Sequence, residues 1–214
     1  MLISAALLAA AAASAQDLQS EARAIMERED VKRAFDHVEA HREQILNEWK
    51  MLTEINAPSG KERNRAEAVR RLLLSYRLDR VYYDSAGNLI AIRKGTGLAK
   101  PVVFDAHLDT VFQDGLKIKA EIRDGKIFAP GVGDNTRNVE ALLASIRALD
   151  HANIRTNSDL IFVFTVEEET DMVGVKQFVK DNKDRIGQYV ALDGGYEGLT
   201  YGGIGINWYR HHFI

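Results

Sequence analysis

Four short polar clusters in this chain join residue types that bind cations to residue types that move protons. The first is His107-Leu108-Asp109-Thr110, directly after the apolar run Val102-Val103-Phe104. Residues two apart on an extended segment point the same way. Asp109 can therefore accept the ring N–H that a metal leaves free on His107, the usual partner of a metal-bound histidine. A hydrogen-bonded His–Asp pair at a strand end would look the same. The second cluster is Gly131-Val132-Gly133-Asp134-Asn135, where glycines permit a sharp turn and expose an acid at the start of the next helix. Asp134 could bridge two cations there, or serve as a helix N-cap. The third is Glu167-Glu168-Glu169 after Leu160 to Val166. Three adjacent carboxylates repel unless a cation or a proton relieves them, although a solvated acidic loop needs no such relief. The fourth is Asp193, delivered by Tyr189 to Leu192 into Gly194-Gly195, a placement that simple turn chemistry also explains.

Singly these clusters say little; together they describe one site. One histidine and several carboxylates each stand where an apolar run ends. In α/β sheets, ligands bind where strands run out into loops. The chain contains no cysteine, so disulfides and thiolate sites are excluded. Any metal rests on His, Asp and Glu, with zinc the expected ion and manganese or cobalt as alternatives.

The elements that must position these residues can be read from periodicity. Residues 17 to 55 repeat apolar side chains at three- and four-residue intervals (Ala34, Phe35, Val38, Ile45, Leu46, Trp49, Leu52), which predicts a helix packed on the domain. Ala57-Pro58-Ser59-Gly60 ends it. A second helix is expected over Glu62 to Tyr76, with Ala66, Val69, Leu72 and Leu73 inward. Arg80 to Lys94 alternates around the turn Ser85-Ala86-Gly87-Asn88, and Ile118 to Phe128 contains a second hairpin turn at Arg123 to Lys126. Strands are expected at 101–106, 160–166 and 189–192, and helices at 138–149 and 173–179. Strand alternating with helix predicts an α/β fold, a sheet flanked by helices. No internal repeat or low-complexity tract interrupts it.

The 214 residues suffice for one domain, 46% are apolar and 28% charged, and the net charge is −3. That balance offers no electrostatic footprint for nucleic acid or an anionic membrane surface. Residues 1–15 are apolar and uncharged and end in Ala13-Ser14-Ala15. They read as a secretory signal peptide cleaved after Ala15, although no Lys or Arg precedes the apolar stretch. An Ala-rich first helix of the domain is the alternative. The expectation is an exported protein, periplasmic or extracellular, free of the membrane after cleavage.

Four stretches carry a family resemblance: FDAHLDTV at 104–111, APGVGDN at 129–135, FTVEEET at 164–170 and ALDGG at 191–195. In order and spacing the chain resembles the co-catalytic zinc peptidases and deacylases related to peptidase T, acetylornithine deacetylase, succinyl-diaminopimelate desuccinylase and glutamate carboxypeptidase. The resemblance covers roughly residues 50 to 213. It implies a zinc-peptidase-like fold, with residues 16–199 as the N-terminal part of the catalytic domain. Residues 200–214 would start a lid or dimerisation domain, and relatives continue past that point and dimerise through it.

The resemblance implies two zinc ions, with His107, Asp134 and Asp193 holding one and Asp134 and Glu169 contributing to the other. A further His for the second ion would come from beyond Ile214. His211 and His212, adjacent on a strand-like run, are read as ordinary strand histidines. Asp109 would orient His107, and Glu168 would be the general base, with Glu167 in the leading acidic position. The implied activity is amide hydrolysis of small peptides, with N-acyl amino acids as an alternative substrate class. The other alternative is a catalytically inactive metal-binding or structural α/β fragment. Thr136-Arg137-Asn138 and Asp171 depart from the residues common in relatives and bear on pocket shape.

Overall fold

A computed structural model describes residues 17–194 of the chain. Residues 1–15, read above as a leader, and 200–214, read as the start of a lid, lie outside the described residues. Among the described residues no helix is long and apolar enough to cross a membrane.

The N-terminal region forms three helices rather than the single one its periodicity predicts: α1 (residues 17–26), α2 (Glu29–Ala40) and α3 (Arg42–Glu54). The break between α2 and α3 falls at His41, whose backbone leaves helical values. Its Nδ1 lies 2.7 Å from the His37 carbonyl oxygen, competing with the backbone for that acceptor. His37 in turn lies between the rings of His41 and His151, at 3.9 and 4.1 Å. The break thus places α2 along the helix that ends at His151.

Helix α4 (Arg63–Leu73) buries Ala66, Val69 and Leu73 as its spacing requires, and ends three residues before the predicted Tyr76. Its last turn tightens there, with Ser75 and Tyr76 N–H bonded three residues back. Strands β1 (Arg80–Tyr83) and β2 (Leu89–Arg93) form the expected hairpin. Asp84 builds its turn by accepting the N–H groups of Ala86, Gly87 and Asn88. Strand β3 (Val102–His107) is followed by the small hairpin β4 (Glu121–Arg123) and β5 (Lys126–Phe128). A π-helical turn, Val132–Thr136, leads into α5 (Arg137–His151). Strand β6 (Leu160–Thr165), a single turn α6 (Glu168–Asp171), helix α7 (Val173–Asn182) and β7 (Gln188–Ala191) complete the described chain.

The main sheet has the order β1-β2-β6-β3-β7. Strands β6, β3 and β7 run parallel, and the β1–β2 hairpin adds antiparallel to β6. Alternation along the strands divides the core. Leu89, Ala91, Ala106, Phe162 and Phe164 join Leu52, Val69, Leu73, Leu142, Leu143 and Ile146 on one side, while Ile90, Val103 and Val163 meet Phe178 of α7 on the other. Helices on both faces leave the C-terminal ends of the three parallel strands as the open rim, where polar groups can gather.

Arg65 and Glu140 are among the charged residues buried in this fold. Arg65, fully buried on the apolar face of α4, donates to the carbonyl oxygens of Leu52, Ile55 and Leu108. It thereby ties α3 and the end of β3 to α4. Glu140 on α5 is 2% exposed, and neither of its carboxylate oxygens has a partner among the described residues. Its neighbour Arg147 is engaged by Glu48 and by the Tyr76 hydroxyl. Burial, reinforced by the Glu48 charge, pushes the Glu140 pKa up to about 8.

Two outcomes are expected. Arg65→Met removes the side-chain donor from three carbonyl groups and should lower stability by about 3–5 kcal/mol in urea unfolding; a loss below about 1 kcal/mol would show that water replaces the guanidinium. Folded Glu140 holds its proton up to about pH 8, whereas an unfolded glutamate releases it near pH 4.3. Between those limits the folded state binds more protons, so stability falls as pH rises. Glu140→Gln should therefore melt higher than wild type at pH 9, with the gap closing towards pH 5. An equal gap at both pH values would assign that pH dependence to another group.

Candidate metal centre

Three of the four clusters are brought to the rim by different parallel strands. His107 closes β3, Glu168 and Glu169 open the turn after β6, and Asp193 lies two residues past β7. Asp134 comes from the π-helical turn ahead of α5. This turn is braced on several sides. The Trp49 indole N–H donates to the Val132 carbonyl at 2.9 Å, and the Thr136 hydroxyl reaches the Gly131 carbonyl at 2.8 Å and the Thr53 hydroxyl at 2.8 Å. Gly131 takes φ +73°, and a Cβ there would lie 2.6 Å from the Thr110 methyl group, so glycine is required. Asn135, buried beside the acid, donates to the Leu192 carbonyl at 3.0 Å and holds the Asp134 turn against the end of β7. The Asp134–Asn135 peptide is cis. Asp134 does not act as a helix N-cap. That position falls to Thr136, and the Asp134 carboxylate turns towards His107 instead.

His107 is the hub. Its Nε2 lies 3.0 Å from Asp134 Oδ1, 3.8 Å from Asp193 Oδ1 and 3.9 Å from Glu168 Oε2. On the opposite side, Nδ1 lies 3.1 Å from the Asp109 backbone oxygen and 3.4 Å from its carboxylate. Asp109 thus flanks the ring as its spacing predicts, but the shorter approach is to the main chain. Its carboxylate, fully buried, accepts the Ser59 hydroxyl at 2.6 Å and the N–H groups of Glu168 and Glu169 at 3.0 and 3.1 Å.

The three consecutive glutamates separate. Glu167 takes a left-handed conformation (φ 52°, ψ 41°) that turns the chain, and its side chain passes over Gly60. Glu168 and Glu169 reach the cluster. Two sets of donor atoms are close enough to hold a cation: His107 with Glu168 and Asp193, and His107 with Asp134 and Glu169. This grouping differs from the resemblance, which pairs His107 with both Asp134 and Asp193 and keeps Glu168 apart as a base.

The electrostatics of the cluster are those of a site short of positive charge. Burial alone would lower the His107 pKa, but Asp109, Asp193 and Glu168 outweigh it and push it up to about 11. Burial raises both Glu168 and Glu169, and the neighbouring carboxylates add to the shift. Asp193 is held low, first by His107 and further by the Gly194 N–H and Arg137. Burial works against the Asp109 carboxylate, yet its hydrogen bonds outweigh it and hold its pKa down. Oxygen and imidazole donors with excess negative charge and no thiolate suit zinc or another divalent ion. The donor set therefore fits a metal.

Sequence reasoning missed several residues that shape the site. Ser59 supports Asp109, Asn135 braces Asp134, and Glu62 and Arg65 lie beneath the loops. Asp105 is also buried on β3 and accepts the Tyr189 hydroxyl at 2.8 Å, with burial pushing its pKa up to about 6. A signal existed for Arg65: a charged residue at an apolar-face position of an amphipathic helix.

Comparison with known proteins places the chain in a family. Residues 103–209 match the family described as Peptidase family M20/M25/M40. A Pyrococcus furiosus protein named as a LysW-lysine/LysW-ornithine hydrolase is 30% identical over 161 residues, covering 75% of this chain and 44% of that protein. The crystal structure of aminopeptidase PepT from Bacillus cereus superposes with a TM-score of 0.62 at 25% identity, covering 71% of this chain and 43% of that one. Human carnosine dipeptidase 1, at 18% identity and a TM-score of 0.65, shares the fold over 77% of this chain and 41% of its own. The chain spans less than half the length of each of these relatives. It belongs to the M20/M25/M40 peptidase family.

Proposed function

We propose that this chain carries most of the metal centre of a hydrolase that cleaves amide bonds in small peptides. One observation carries the reading: a single buried imidazole meets carboxylates from two strand ends and from the turn ahead of α5, in two sets of donors that share His107. His107, Asp134, Glu169 and Asp193 are the residues that would hold divalent ions, with zinc preferred and manganese or cobalt as substitutes. Bound there, such ions polarise a carbonyl and acidify water.

Glu168 is assigned as the proton carrier. It is partly buried among other acids, which raises its proton affinity towards the range a general base needs. It would take a proton from the attacking water and return it to the leaving amine. Asp109 holds Glu168 by its backbone N–H, leaving the side chain to do this work. N-acyl amino acids are a second substrate class, favoured by the likeness to a protein named as a lysine/ornithine hydrolase. The leader at 1–15 supports export, and peptide scavenging suits that location better than biosynthetic deacylation.

Glu168→Gln should lower dipeptide or N-acyl amino acid hydrolysis by about 10²–10⁴-fold, while zinc content by atomic absorption stays unchanged. Loss of zinc in that variant would make Glu168 a ligand and remove it as the base. The comparison is made on this chain and on any longer product of its gene, and a longer product without zinc would sink the proposal. Expression in a Gram-negative host, followed by N-terminal sequencing of the periplasmic fraction, should give a protein beginning at Gln16. An uncleaved protein confined to the cytoplasm would overturn the export assignment.

A further inference from the structure

The turn that presents Glu168 and Glu169 is held by a carboxylate outside the donor set. Glu62, 4% exposed, uses one atom, Oε1, to accept two backbone N–H groups: Gly60 at 2.8 Å and Glu167 at 3.0 Å. Gly60 sits at φ +81° in the loop that breaks the helices, and Glu167 is the left-handed residue that reverses the chain after β6. The neighbouring Ser59 supports the Asp109 carboxylate, which accepts the next two amides, Glu168 and Glu169. Three consecutive N–H groups of the acidic turn are therefore bound by two buried carboxylates, one on each side of the 59–60 loop. A left-handed glutamate is disfavoured on its own, so the turn depends on these acceptors to keep Glu168 and Glu169 aimed at His107.

We propose that Glu62 is a positioning residue for the metal centre, acting through the placement of a single acceptor oxygen rather than through its charge. This rests on the metal-binding reading of the site above. Gln retains an acceptor at the same reach without the charge. Asp retains the charge but withdraws the acceptor by one methylene. Those two variants therefore separate geometry from electrostatics.

The test is Co²⁺ titration of the full chain, followed by visible absorption, for wild type, Glu62→Gln and Glu62→Asp, together with amide exchange at Glu167 to Glu169. Thermal melts confirm that each variant is folded at the titration temperature. Glu62→Gln should bind Co²⁺ within about threefold of wild type. Glu62→Asp should bind it about ten- to a hundredfold more weakly and lose protection at the Glu167 amide. Co²⁺ affinity and amide protection unchanged in Glu62→Asp would overturn the proposal, as would equal losses in both variants or a loss confined to Glu62→Gln. Were wild type itself to bind no Co²⁺, the metal-binding reading would fail, and the exchange data would still decide whether the Glu62 oxygen holds the turn.

Discussion

The rim of this protein depends on the burial of one carboxylate. Asp109 has no access to solvent, and its oxygens are committed to a hydroxyl from the 57–60 loop and two backbone amides from the turn after β6. Its backbone oxygen also receives His107 Nδ1. Moving an ionised acid out of water is costly unless its lone pairs are used, and these contacts use them. Loop, strand end and acidic turn are fixed relative to each other because one charge must be solvated by all three. Arg65 lies close by, bonded to the Leu108 carbonyl immediately before Asp109, and its charge adds to that solvation.

The cluster above Asp109 has the opposite character. Asp134, Glu168, Glu169 and Asp193 converge on one imidazole, and burial, reinforced by their mutual repulsion, raises the proton affinity of the glutamates. Such an arrangement is unfavourable for folding and is sustained by interactions elsewhere. The bracing falls on the backbone rather than on the acids: Trp49, Thr53 and Thr136 hold the Asp134 turn, and Asn135 ties it to the end of β7. The donors are left able to accept a cation because the residues beside them do the holding.

Much of this was legible in the sequence, for an identifiable reason. His107, Asp134, the glutamates and Asp193 each follow an apolar run or a glycine turn, and those patterns are local. The hairpin at 85–88 and the inward face of α4 were readable on the same grounds. The break at His41 was not, because it depends on a side chain competing for one backbone carbonyl inside an otherwise continuous period. Glu62, Ser59 and Asn135 were missed because they act on main-chain groups far away in sequence, which no spacing announces. The family resemblance supplied the register of the three glutamates. In the structure Glu167 stands outside both donor sets, and Glu168 and Glu169 each belong to one.

That left-handed glutamate also bears on how this segment can vary. A β-branched side chain is strongly disfavoured at φ 52°, so drift at position 167 is filtered by backbone shape before charge is considered. Glycine, asparagine and aspartate enter that conformation readily and would leave the two following acids in register. A lineage could therefore lose the first acid of this run without losing the site. Valine or isoleucine, common at the ends of strands, would be selected against there even though the side chain belongs to neither donor set.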